Sequence, residues 1–162
     1  MNGADIILSH IIGIRLFNML YCNEERALFQ NFTDQCRLLK GYVSVRDFAT
    51  KAKKENFYHG FLSGVFTNCS DGISDYQSNS ESGDGYADIV FKNADEDKAV
   101  VIEIKSSASD DDFLQDTKAA LKQIEDNRYY EPFLKKVNIK TIYCYAISFY
   151  KKDCYIEVKK VK

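Results

Sequence analysis

Apolar residues recur at helical spacing through the first third of the chain. Ile6, Ile7, His10, Ile11, Ile14 and Leu16 to Leu20 predict one helix, and Leu28, Phe29, Phe32, Cys36 and Leu39 a second that ends near Gly41. Ser44 followed by Asp47 gives an N-cap and an acidic first turn to a short helix running to about Lys53. Phe57, Phe61, Leu62 and Val65 then form the inward face of another, from Glu55 to Phe66. Beyond this point the period changes from helical to strand-like. A polar stretch from Cys69 to Asp84 contains one extended patch, Ile73 to Gln77, suited to an edge strand, and Gly83-Asp84-Gly85 predicts a turn. Tyr86 to Phe91 reads as a strand, Lys92 to Asp97 as a polar hairpin loop, and Ala99 to Ser106 as the near-continuous apolar strand of a sheet centre. Asp110-Asp111-Asp112 opens a predicted helix from about Asp112 to Asn127, where capping charge accounts for the acidic triplet. Ile139 to Tyr150 and Cys154 to Val161 are the last strands, joined by Lys151-Lys152-Asp153.

The order is helices followed by β-β-β-α-β-β, which predicts an α/β (α+β) sandwich with a central sheet covered on both faces. With 162 residues, 45% of them hydrophobic, the chain can bury one sizeable core and is read as a single domain. Residues 1–54 form its helical N-terminal part and 55–162 its core.

Two apolar strands carry charge where charge is costly. Asp88 interrupts the first, and Glu103 and Lys105 share one face of the second while Ile102 and Ile104 share the other. A buried carboxylate or ammonium costs several kcal/mol unless it is paired or holds a metal, so these groups point to a site. Glu-Xaa-Lys alone also suits an exposed strand edge with a same-face ion pair. Adding Asp88 gives the set that phosphodiester hydrolysis needs. Two carboxylates and the Ile104 carbonyl suit a hard cation such as Mg²⁺, and Lys105 stands ready to orient or deprotonate water and to offset transition-state charge.

Asp88…Glu103-Ile104-Lys105 resembles the Asp…(Asp/Glu)-Xaa-Lys core of the PD-(D/E)XK nuclease superfamily. Three flanking stretches sharpen the likeness: Glu55-Asn56-Phe57-Tyr58-His59-Gly60-Phe61-Leu62, then Ser78 to Asp88, then Ala120-Leu121-Lys122-Gln123-Ile124. Together they resemble the branch found C-terminal to an AAA-type ATPase domain in many bacterial proteins, here expected without the ATPase part. The resemblance implies a restriction-endonuclease-like core, a mixed β-sheet flanked by helices with extra N-terminal helices. It also implies a Mg²⁺-dependent nuclease, with Mn²⁺ as a substitute ion, that acts on nucleic acid, DNA being the expected substrate, with an ATPase in trans as a further partner. It makes Asp88 and Glu103 metal ligands, with Ile104 and Glu55 contributing, Lys105 the catalytic lysine, and Gln123 a polar site residue on the following helix. Glu55 equally suits a helix N-terminus, and Tyr58 and His59 read as packing or hydrogen-bonding residues. Glu81 and Asp84 read as turn chemistry. Ser80 stands where many relatives have arginine, which removes a phosphate contact, and Gln123 to Tyr129 is longer than the Gln-Xaa3-Tyr motif of some exonuclease branches.

Composition bounds the partners. A net charge of -2 argues against binding nucleic acid by bulk charge, so contacts must be local or metal-mediated. Five cysteines with no CxxC or Cys/His spacing favour a reducing cytoplasm over a disulfide framework or a structural zinc site. The apolar run before Tyr21 is too short and too interrupted to cross a bilayer.

Overall fold

The structure is a computed structural model that describes residues 54–67 and 72–162. The predicted helices before Lys53 lie outside the described residues. Helix α1, Lys54–Thr67, is followed by strands β1, Ile73–Ser82, β2, Gly85–Asn93, and β3, Lys98–Ser106. A 3-10 turn at Asp110–Asp112 leads into α2, Phe113–Asp126; then come the one-turn α3, Glu131–Leu134, and strands β4, Thr141–Tyr150, and β5, Asp153–Lys160.

The five strands form one mixed sheet in the order β1-β2-β3-β4-β5. Neighbours are antiparallel except β3 and β4, which run parallel and are therefore joined by the crossover through α2 and α3. Strict alternation along β3 feeds two cores. Val100, Ile102 and Ile104 pack with Tyr58, Leu62 and Phe66 of α1, whereas Ala99 and Val101 pack with Ile124 of α2, Tyr129 and Phe133. Tyr58 fixes α1 on the sheet, its ring stacked 4.4 Å from that of Phe149 and its hydroxyl donating to the Lys151 carbonyl at 2.9 Å.

The prediction and the structure differ in four places. Strand β1 extends past Gln77 to Ser82 because an edge strand can carry Ser, Asn and Glu outward while its backbone pairs with β2. The acidic triplet caps its own turn, with Ser109 donating backbone and hydroxyl hydrogens to Asp112, so α2 begins at Phe113. Helix α3, with Pro in its first turn, was not expected from the sequence. Finally, Cys144 is a buried free thiol and Cys154 is disulfide-bonded, a single bond that the expectation against a disulfide framework did not include. Spacing along a chain does not report the Cα separations that permit such a bond.

Among the described residues no helix is long and apolar enough to cross a membrane.

Candidate active site

The site lies where the β2–β3 ladder stops. Pairing runs from Lys92↔Ala99 to Ile89↔Ile102, and one further step would set Asp88 directly opposite Glu103. Two like charges facing each other oppose pairing, and the strands part there. Asp88 Oδ2 instead accepts the Ile104 backbone N–H at 2.7 Å, a side chain replacing the missing ladder partner. The alternation of β2 slips at the same point, since Ala87 and Val90, three residues apart, join one core while Ile89 and Phe91 join the other.

On the α1 side this opens a cleft of about 220 Å³ lined by Glu55, Asn56, His59, Asn79, Asp88 and Ile104. On the α2 side Glu103 is buried, and its Oε1 accepts from Lys105 Nζ at 2.8 Å. Lys105 Nζ also donates to Gln123 Oε1 of α2 at 2.7 Å. Ala146 and Ser148 are the β4 partners of Glu103 and Lys105, and their small side chains leave room for this cluster. Gln123 is itself oriented, because its Nε2 donates to the Tyr129 hydroxyl at 3.2 Å, which also accepts from Asn127 Nδ2 at 3.0 Å.

The β1–β2 turn fastens this arrangement. Ser82 Oγ donates to the Tyr129 carbonyl at 2.6 Å, and the Asp84 N–H to the Asn127 carbonyl at 2.8 Å. Gly83 has φ +61°, and a Cβ there would lie 2.3 Å from the Asn127 carbonyl oxygen and 2.4 Å from that of Arg128. Gly83→Ala is therefore expected to destabilise the fold by roughly 2–4 kcal/mol through strain and overlap, read from urea unfolding.

The electrostatics show a site short of positive charge. Burial raises the Asp88 carboxyl against the lowering effect of its Ile104 hydrogen bond. Burial, followed by the charge of Asp88, pushes Glu103 up to about 7. Burial pulls Lys105 down, but its bond to Glu103 and the charges of Glu103, Glu55 and Asp88 outweigh that and leave it above its ordinary value. Glu103 Oε2 is buried with no hydrogen-bond partner. Such an acceptor is costly to leave empty, and a hard cation would satisfy it.

All the sequence-predicted site residues fall in this region, in two sets. Asp88, Ile104 and Glu55 border the cleft, whereas Glu103, Lys105 and Gln123 form one hydrogen-bonded chain on the other face of β3. Glu55 contributes negative charge to both acids, yet among the described residues no three His, Cys, Asp or Glu side chains form a group that could hold a metal ion. A hard cation here would have to draw on the two carboxylates and a backbone carbonyl rather than on three acidic side chains. Sequence reasoning missed Asn56, Asn79 and the contact of His59 with β2. Glu55 and His59 stand four apart on α1, a spacing that puts both on one helix face and was the available signal.

A mixed five-stranded sheet with flanking helices, its central strands parting at a lysine and two acids, is an α/β fold of the restriction-endonuclease type. The family model of the PD-(D/E)XK nuclease superfamily matches residues 53–159, and the chain belongs to that superfamily. No curated protein matches the chain.

Proposed function

We propose that the chain is a divalent-metal-dependent nuclease that hydrolyses phosphodiester bonds, with DNA as substrate and Mg²⁺ as the ion, for which Mn²⁺ can substitute. The observation that carries this reading is the clasp on Lys105 Nζ, held by Glu103 and Gln123 beside an unsatisfied buried carboxylate oxygen. Asp88, Glu103 and the Ile104 carbonyl would hold the ion, with Glu55 adding negative charge from α1. When bound, Mg²⁺ supplies positive charge to phosphoryl oxygens and makes water more acidic.

The chain's own residues do the rest. Two of the three Lys105 N–H donors are engaged by Glu103 and Gln123, which leaves the third for a phosphoryl oxygen or the attacking water. The ammonium is fixed before substrate arrives, so little reorganisation is needed as charge develops. Gln123 is a positioning residue here, held in turn by Tyr129. Nucleic acid is the partner this reading requires, and an AAA-type ATPase acting in trans is the second partner suggested by the domain's resemblance.

One observation favours a weaker enzyme, or a module that binds nucleic acid or a protein without efficient cleavage. Ser80 donates its hydroxyl to Gln77 on its own strand, so the phosphate contact an arginine there would make has no replacement from this side chain. Incubation with single-stranded DNA, duplex DNA and RNA, with Mg²⁺, with Mn²⁺ and with EDTA, separates the readings. The expected result is DNA cleavage that needs the divalent ion and stops in EDTA. Metal binding without cleavage of any substrate would favour the binding module, and cleavage unaffected by EDTA would refute the assignment.

A further inference from the structure

We infer that His59 is the positioning residue for Asp88, holding its backbone so that its carboxylate faces the cleft. This rests on the reading of Asp88 as a metal ligand but concerns how the strand is held. Asp88 is the one place in the middle of β2 where both ladders lapse. Its pairing with β3 ends at Ile89↔Ile102, and its pairing with β1 passes from Ser78↔Ile89 to Ser80↔Ala87, leaving Asn79 and Asp88 out. Asn79 has φ +50°, a left-handed backbone that Asn tolerates better than most residues and that turns its peptide units out of strand geometry.

The Asp88 carbonyl stands at this gap, where a backbone acceptor is costly to leave without a donor. His59 is that donor. Its Nε2 lies 3.0 Å from the Asp88 carbonyl oxygen, with Ser78 Oγ 3.1 Å from the same nitrogen and able only to share its one proton. A carbonyl only accepts, so the proton of this bond sits on Nε2. The Asp88 residue is thus gripped at both ends: the carbonyl by His59, and the carboxylate by the Ile104 N–H at 2.7 Å. Release of the first grip frees the peptide to rotate and loosens the second. Because Glu55 precedes His59 by one helical turn, the same contact also sets how near the Glu55 carboxylate stands to the acid pair.

The test uses His59→Phe, which keeps the ring volume without the donor, and His59→Gln, whose amide nitrogen reaches a position similar to Nε2. The readouts are amide hydrogen exchange without metal and calorimetric titration with Mn²⁺. In His59→Phe the Ile104 amide is expected to lose roughly 5- to 10-fold of its protection, the size of one hydrogen bond, while the Ile147 amide of β4 keeps its own. Mn²⁺ affinity falls about 10-fold or more, as is usual when a residue supporting a metal ligand is removed. His59→Gln recovers most of both. Unchanged Ile104 protection in His59→Phe, an equal loss at Ile147, or no recovery in His59→Gln would overturn the positioning role. If Ile104 responds as expected but the unaltered protein binds no Mn²⁺, His59 still positions Asp88 and the metal-dependent reading is what fails.

Discussion

Lys105→Ala is expected to lower phosphodiester cleavage by about a thousandfold while its affinity for Mn²⁺ rises. On the proposed mechanism the two effects have opposite signs because one ammonium would take part in both. For catalysis, Lys105 Nζ is anchored at 2.8 Å from Glu103 and 2.7 Å from Gln123, so its positive charge is in place before the phosphoryl group gains negative charge. Removing one such preorganised group from a water-poor site typically costs on the order of 10²- to 10³-fold in rate, and more if it also moves a proton. For binding, the same charge repels an incoming divalent ion, and its loss leaves Glu103 with both oxygens open to that ion. Lys105→Arg is not expected to restore activity, since a planar fork cannot occupy a clasp shaped around a single nitrogen. Asp88→Ala behaves differently. It removes a proposed ligand and the acceptor of the Ile104 N–H together, so affinity and cleavage both fall. Cleavage assays, calorimetric titration and circular dichroism on the three variants check this pattern. Cleavage by folded Lys105→Ala within tenfold of the parent would remove Lys105 from the mechanism.

What the sequence revealed of this site follows from how charge is distributed along it. Asp88, Glu103 and Lys105 were legible because each interrupts an apolar strand, and burial makes such interruptions costly. The same apolar runs made β2 to β5 legible to within a residue or two. Strand β1 was half hidden, since Ser78 to Ser82 look like a loop until an edge position explains their polarity. Tyr129 stood too far from Gln123 for any rule written on a continuous helix. Helix α2 ends at Asp126 and Arg128 turns the chain with φ 54°, which carries the Tyr129 ring back beneath Gln123. His59 reads as a packing or hydrogen-bonding residue, but nothing in the sequence says that its partner is the Asp88 carbonyl. That contact forms where both ladders lapse at one residue, a property of the register rather than of composition.

Glu103→Gln is expected to make the metal-free protein more stable at pH 8 and to make the metal-loaded protein less stable than the parent. Burial, then repulsion from Asp88, raise the Glu103 carboxyl from its ordinary 4.5 to about 7. Between those values the folded chain holds a proton that the unfolded chain has lost, so stability falls as pH rises through this window and the penalty is complete above it. The full penalty is about 3 kcal/mol, and a neutral glutamine avoids most of it. Glutamine also keeps an oxygen to accept from Lys105, so the bond between the two survives. In EDTA the gain should therefore be about 2–3 kcal/mol at pH 8 and only a few tenths of a kcal/mol near pH 4.5, where Glu103 is neutral in the folded chain and half-ionised in the unfolded one. Adding Mn²⁺ reverses the order, because an ion bound only by the folded parent stabilises it in proportion to the logarithm of its concentration over its dissociation constant. The variant, one anionic ligand short, gains little. Urea unfolding at the two pH values, with EDTA and with Mn²⁺, reads all four states. A variant less stable than the parent in EDTA at pH 8 would show that Glu103 is retained for the fold, and a variant that Mn²⁺ stabilises as much as the parent would remove Glu103 from the ion's ligands. The expected crossing places the cost of this buried acid in the apo fold and its benefit in the bound cation.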